Sequence, residues 1–190
     1  MALPPIAGVL AERALLSDGA AGALIYSKGV YINQCYDALN QARPHMVKSI
    51  HLEFLQAGAE ILTTNTFGAH RRKLARHGLA DKLREINLSG LQIAREAAQD
   101  NAWVAAVCGP PGEDVEGDFN ALNENDLRLL YAEQVEALLE GEPDAIFFES
   151  FGHLPSLALA VAEARRIAPG AFIGAFAQIG GDGKTRFGDD

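Results

Sequence analysis

Cysteine is scarce in this 190-residue chain. Only Cys35 and Cys108 occur, too few for a disulfide framework, which suits a reducing compartment. Positive charge is also in short supply. Sixteen Lys and Arg against 25 Asp and Glu leave a net charge of -9, which repels phosphate backbones and anionic membrane surfaces. Nucleic acid is therefore not an expected partner. Long uncharged apolar runs are missing too: none approaches the roughly 20 residues that span a bilayer. The apolar start, MALPPIAGVLAERALL, lacks a basic leader and is interrupted by Glu12 and Arg13, so no secretion signal is expected. A cytoplasmic protein without a membrane partner is the plain reading. Linkers, low-complexity tracts and internal repeats are absent as well, so one domain over 1–190 is expected. What remains is 48% hydrophobic and 22% charged, a globular balance with enough apolar surface for a core.

Short apolar runs alternate with longer amphipathic ones. Ala14 to Ser17, Glu60 to Thr64, Trp103 to Cys108, Ala145 to Phe148 and Ala171 to Ala177 read as strands apolar on both faces, as in parallel sheets covered by helices. Helical spacing links Leu79, Leu83, Ile86, Gly90, Ile93 and Ala97. It recurs at Leu127, Tyr131, Val135 and Leu138, and at Leu154, Leu157, Val161, Ala164 and Ala168. Pro44 precedes a helical segment with Val47, Ile50 and Phe54, and Pro155 suits a first helical turn. Asn123 or Asn125 is placed to cap the helix through Leu138. About five βα units follow, which predicts an α/β fold with a parallel sheet. Periodicity leaves open whether that sheet is doubly wound or part of a (β/α)₈ barrel.

In either architecture ligands gather beyond the carboxyl ends of the strands. The first run ends in Asp18-Gly19, the second in Thr63, Thr64, Asn65 and Thr66, the third in Cys108-Gly109-Pro110, the fourth in Glu149-Ser150 and the fifth near Gln178. Asp18 and Glu149 thus face one rim from different strands, where two carboxylates can hold an ammonium group. Gly19 permits close approach of backbone N–H groups to a carboxylate, and Asn65 and Thr66 offer donors and acceptors to an amino-acid backbone. Taken singly, Asp-Gly is a turn pair, Asn-Thr a cap and a strand-end Glu a solvated charge. Their joint placement on one rim is what points to binding.

Other motifs carry less. GGDGKT (180–185) resembles a phosphate loop, but Gln178 stands where that loop needs its first glycine. His51, His70, His77 and His153 lack ligand spacing and read as surface or helix-cap residues. Cys35 and Cys108, without a spaced third ligand, do not make a zinc site, and a buried, inert Cys108 is expected.

Several strings resemble the homocysteine-binding domain of the homocysteine S-methyltransferases, which include methionine synthases and bifunctional homocysteine methyltransferase/methylenetetrahydrofolate reductases. They are SDGAAGALIY (17–26), LNQARPHMVKSIHLEFLQAGAEILTTNTFGAHRRKLARHGLADKLREIN (39–87), VAAVCGPPG (104–112), AIFFES (145–150) and GDGKTRFGDD (181–190). They stand in family order over almost the whole chain, and TNTFGA and KLARHGL lean toward the methionine-synthase-like branch.

The resemblance implies a (β/α)₈ TIM barrel, of which this chain carries about the first five units, the barrel being incomplete. It implies methyl transfer to the homocysteine thiol to form methionine. Asp18 and Glu149 match positions that hold the substrate amino group, Gly19, Asn65 and Thr66 match positions around its polar end, and Phe67 falls where the family lines the pocket. It also implies Zn²⁺ held by three cysteine thiolates on later strands, which activates the sulfur. Neither Cys35 nor Cys108 matches those ligands, so the domain over 1–190 is expected to be truncated before the zinc-cysteine strands. The implied methyl donor is methyltetrahydrofolate through cobalamin, betaine or S-methylmethionine, undetermined among these. An unclosed barrel exposes sheet edges, so a homo-oligomer or a complementary barrel segment is an expected partner. Two alternatives stand beside the enzyme: a non-catalytic half-barrel serving binding or assembly, and an unrelated lyase on phosphorylated substrates. The latter needs a Gly-rich phosphate site that the sequence lacks.

Overall fold

The structure, a computed structural model, describes residues 3–111 and 122–189. Four strands, β1 (Ile61–Thr63), β2 (Trp103–Cys108), β3 (Ala145–Phe151) and β4 (Ile173–Ala177), form one parallel sheet in chain order. Sequential parallel neighbours require a crossover between each pair, and helices supply it. The crossovers contain α6 (Leu83–Ala98), α7 (Glu124–Leu139) and α8 (Leu154–Ile167). The remaining helices are α1 (Ile6–Glu12), α2 (Ala21–Ser27), α3 (Leu39–Ala42), α4 (Pro44–Gln56) and α5 (Arg71–Ala75). Among the described residues no helix is long and apolar enough to cross a membrane.

Four of the five expected strands form. The first run, Ala14 to Ser17, pairs only through Ser17, as an isolated parallel bridge to Ile61. Its backbone still joins the sheet, since the Leu16 carbonyl accepts from Glu60 and Ile61 and the Asp18 N–H donates to Ile61. Arg13 leaves the run for solvent and pairs with Glu60 at 2.6 Å, which fixes where the run meets β1.

Side chains alternate across the sheet. Val104, Ala106 and Cys108 of β2 and Ile146, Phe148 and Phe151 of β3 face the helices, in a core shared with Leu91, Tyr131, Val135 and Leu138. Phe148 and Phe151 are fully buried, each worth roughly 1.5–3 kcal/mol of transfer energy. Trp103, Ala105, Val107, Ala145 and Phe147 face the other way and are covered by Ile6 of α1 with Leu3, Val9 and Leu10 around it. The apolar N-terminal segment thus folds back as a lid on the inner face, anchored where the Trp103 indole donates to the Pro4 carbonyl at 2.9 Å.

The helix signals are used as read. Pro44 and Pro155 occupy first turns, and the Asn123 side chain caps α7 by accepting from the Asp126 N–H. His70 and His153 cap α5 and α8. His51 corrects the surface reading: α4 buries it against the core at 1% exposure. GGDGKT forms a turn, with Ile179 and Thr185 bridged antiparallel, and no helix follows it among the described residues.

Candidate functional site

The carboxyl ends of the strands open onto two clefts. The larger, about 560 Å³, has Gly19, Asn65, Phe67 and Glu149 among its lining. The smaller, about 370 Å³, is bounded by Asp18, Phe147, Glu149 and Phe176. Glu149 and Ser150 lie on the walls of both, so the two clefts meet at the end of β3.

Asp18 is fixed from β1. Its Oδ2 accepts from the Thr63 N–H at 2.8 Å and its Oδ1 from the Thr63 hydroxyl at 2.9 Å. Despite these bonds, burial pushes its carboxyl up to about 6. Glu149 goes further: burial first, then the charge of Asp18, pushes it up to about 7. Two carboxyls with suppressed ionisation, on the wall of one cleft and near enough for the Asp18 charge to act on Glu149, are suited to a cation whose arrival favours both charges.

A β-bulge sets Glu149 in place. Phe148 pairs with Ala175 and Phe151 with Ala177, so two β3 residues, Glu149 and Ser150, stand opposite Phe176 alone. Ser150 takes a φ of 63°, a left-handed conformation that costs a non-glycine residue about 1 kcal/mol or more.

The loop after β1 is held by buried polar side chains. Asn65 donates its amide to the Tyr36 carbonyl at 2.7 Å and to Asn40 Oδ1 at 2.9 Å, while Asn40 donates to the Asn65 carbonyl at 2.8 Å. Asn65 therefore lines the large cleft with both amide hydrogens already committed. Thr66 lies behind the cleft wall. It is fully buried, and its hydroxyl donates to the Val107 carbonyl at 2.7 Å. Thr64 then donates to Thr66 at 2.6 Å and accepts from the Val107 N–H at 2.9 Å, closing a small circuit that extends the β1–β2 pairing. Phe67 lies on the cleft wall, 36% exposed, with its ring 4.8 Å from Lys73 Nζ. Gly109 must lack a side chain there: a Cβ would stand 2.6 Å from the Phe67 ring and carbonyl.

Sequence reasoning passed over the residues that grip this loop. Asp37 accepts from the Gly68 N–H at 2.8 Å, Gln134 donates to the Thr66 carbonyl at 2.8 Å, and Asn87 donates to the Ala69 carbonyl at 2.7 Å. Burial raises the Asp37 carboxyl above its ordinary value. Asn87 and Gln134 occupy helix positions within apolar faces; a polar residue in such a place was the available signal.

A resident metal does not fit these residues. Cys108 is fully buried on the helix side of β2, with burial pushing its thiol upward. Cys35 sits on the cleft wall with its thiol also raised, by burial and the neighbouring Asp37. Among the described residues no group of three His, Cys, Asp or Glu side chains is placed to hold an ion.

Known proteins share this fold. The fold matches the Escherichia coli homocysteine methyltransferase MmuM. For its metallated form the TM-score is 0.83 at 21% identity, covering 98% of this chain and 70% of that one. For its oxidized form the TM-score is 0.81 at 22% identity, covering 96% and 70%. The methionine synthase of Mycobacterium leprae (strain TN) is 29% identical over 172 residues, and that of Mycobacterium tuberculosis (strain ATCC 25618 / H37Rv) is 29% identical over 173. Each alignment takes in 83% of this chain but only 14% of the synthase, so the chain spans about one seventh of these relatives. The homocysteine S-methyltransferase family model matches residues 15–184, which takes in every strand of the sheet and both carboxylates of the rim. The chain belongs to the homocysteine S-methyltransferase family.

Proposed function

We propose that this chain forms the amino-acid-binding side of a homocysteine pocket, within an α/β wall that is an arc of a (β/α)₈ barrel. The observation that carries the reading is the Asp18–Glu149 pair, two half-buried carboxyls at the meeting of two clefts. An ammonium group between them restores both charges and is held by charge-assisted hydrogen bonds. Gly19 lets the backbone approach the head group, Phe67 supplies apolar wall, and Asn65, with Thr66 behind it, keeps the loop in register.

Methyl transfer to the homocysteine sulfur, giving methionine, is the reaction that family membership favours for the whole protein. Zinc would supply the thiolate, but the residues present here do not hold it, so no step at sulfur is assigned to them. Their work is to bind and orient the amino acid and to exchange protons at Asp18 and Glu149. The methyl donor is left open among methyltetrahydrofolate through cobalamin, betaine and S-methylmethionine.

The test is a titration of the protein with L-homocysteine under reducing conditions, followed by NMR. Saturable binding is expected, weakened about tenfold or more in Asp18→Asn and in Glu149→Gln. Unchanged affinity in both variants would refute the assignment.

A second reading, assembly with a further barrel segment or a second copy, is favoured by the outer edge at β4. Phe176 and Ile179 are 49% and 56% exposed there. Sedimentation analysis distinguishes the two. A monomer that binds homocysteine needs only the first reading, whereas an oligomer that Phe176→Ser dissolves requires the second.

A further inference from the structure

Strict alternation along β3 would send Ser150 into the helix-facing core and Phe151 to the inner face. The reverse is observed. Ile146, Phe148 and Phe151 all lie in the helix-side core, while Phe147 lies on the inner face. The bulge has absorbed one residue, so Glu149 and Ser150 both emerge at the rim, on the walls of the same two clefts.

Ser150 reaches that position only through its left-handed backbone, φ 63°, which glycine would adopt freely. The side chain is exposed to the clefts, and no hydrogen bond among the described residues uses its hydroxyl. A structural serine at such a turn ordinarily bonds its own backbone. This one does not, so its hydroxyl is uncommitted on a residue that lines both clefts.

An α-amino acid carries its ammonium and its carboxylate on one carbon. Two consecutive residues on one face, the first an acceptor and the second a donor, match that pair. We infer that Ser150 is a further substrate-contacting residue, donating its hydroxyl to the carboxylate of the amino acid whose ammonium lies between Asp18 and Glu149. The inference rests on the head-group reading above and adds the residue that recognises the acid end.

The experiment compares two probes on the full chain: L-homocysteine, and 3-aminopropane-1-thiol, which keeps the amine and thiol but lacks the carboxylate. Affinities are read by NMR titration for the parent protein, Ser150→Ala and Ser150→Gly. Both substitutions are expected to weaken homocysteine about tenfold and to leave the aminothiol within about twofold. Ser150→Gly relaxes the backbone and should raise the melting temperature, which separates the lost contact from any loss of fold. Homocysteine affinity unchanged in both variants overturns the inference, as does equal weakening for the two probes. A parent protein that binds both probes equally also overturns it, while leaving the ammonium site standing. A parent that binds neither overturns the head-group reading together with this one.

Discussion

Replacing Glu149 by glutamine should strengthen the ligand-free fold at alkaline pH and barely change it at acidic pH. The cause is the environment at the end of β3. Burial, with the charge of Asp18 adding to it, raises the carboxyl from 4.5 to about 7. Because the folded value lies above the unfolded one, the penalty is absent below pH 4.5, grows as pH rises and is complete above pH 7. A rise of that size sets an upper limit of about 3 kcal/mol. Glu149 is only half-buried, and solvent screening reduces the expected gain to about 1–2 kcal/mol. Glutamine has nearly the same shape and never ionises. Urea denaturation of parent and variant at pH 5 and pH 8.5 measures the effect. The expected result is a gain of that size at pH 8.5 and a small fraction of it at pH 5. Equal differences at the two pH values, or a loss at pH 8.5, would refute the electrostatic account of this residue.

Two further outcomes follow from the packing. His51 is buried with both ring nitrogens unpartnered among the described residues, and burial lowers it from 6.5 to about 4. Its folded value lies below its unfolded one, so the stability it permits is complete above pH 6.5 and drains away as pH falls toward 4. His51→Leu should therefore gain about 2 kcal/mol more at pH 5 than at pH 7.5, measured by denaturation at each pH. Gly109→Ala drives a methyl to 2.6 Å from the Phe67 carbonyl, which is backbone and cannot rotate away. A loss of about 1–3 kcal/mol is expected, with a shift of the Phe67 ring resonances.

Much of this architecture was legible because its determinants are local and periodic. Trp103–Cys108 and the helices around Leu91, Val135 and Leu157 follow directly from apolar spacing. That Asp18 and Glu149 come to one cleft was legible because in a parallel sheet the carboxyl ends of the strands share a rim. The first run was less so: a single edge bridge at Ser17 does not distinguish itself in sequence from a full strand. The helix α1 was missed because seven residues with an apolar face read equally well as a loop. Thr66 and Asn65 show a deeper difficulty. Their residue types suit a ligand, but Tyr36 and Asn40 take the Asn65 amide hydrogens and Val107 takes the Thr66 hydroxyl hydrogen, and those partners lie between 25 and 41 residues away along the chain. The bulge at Ser150 was invisible for the same reason, since register is a relation between strands.

The central claim is that an amino-acid ammonium lies between Asp18 and Glu149. Carboxyl-carbon NMR titration of those two side chains, with and without saturating L-homocysteine, tests it most directly. In the free protein the midpoints should lie at about 6 and about 7. With the amino acid bound, both should fall below about 5, because the neighbouring cation favours the ionised forms. Midpoints that stay where they were while homocysteine is bound would contradict the account.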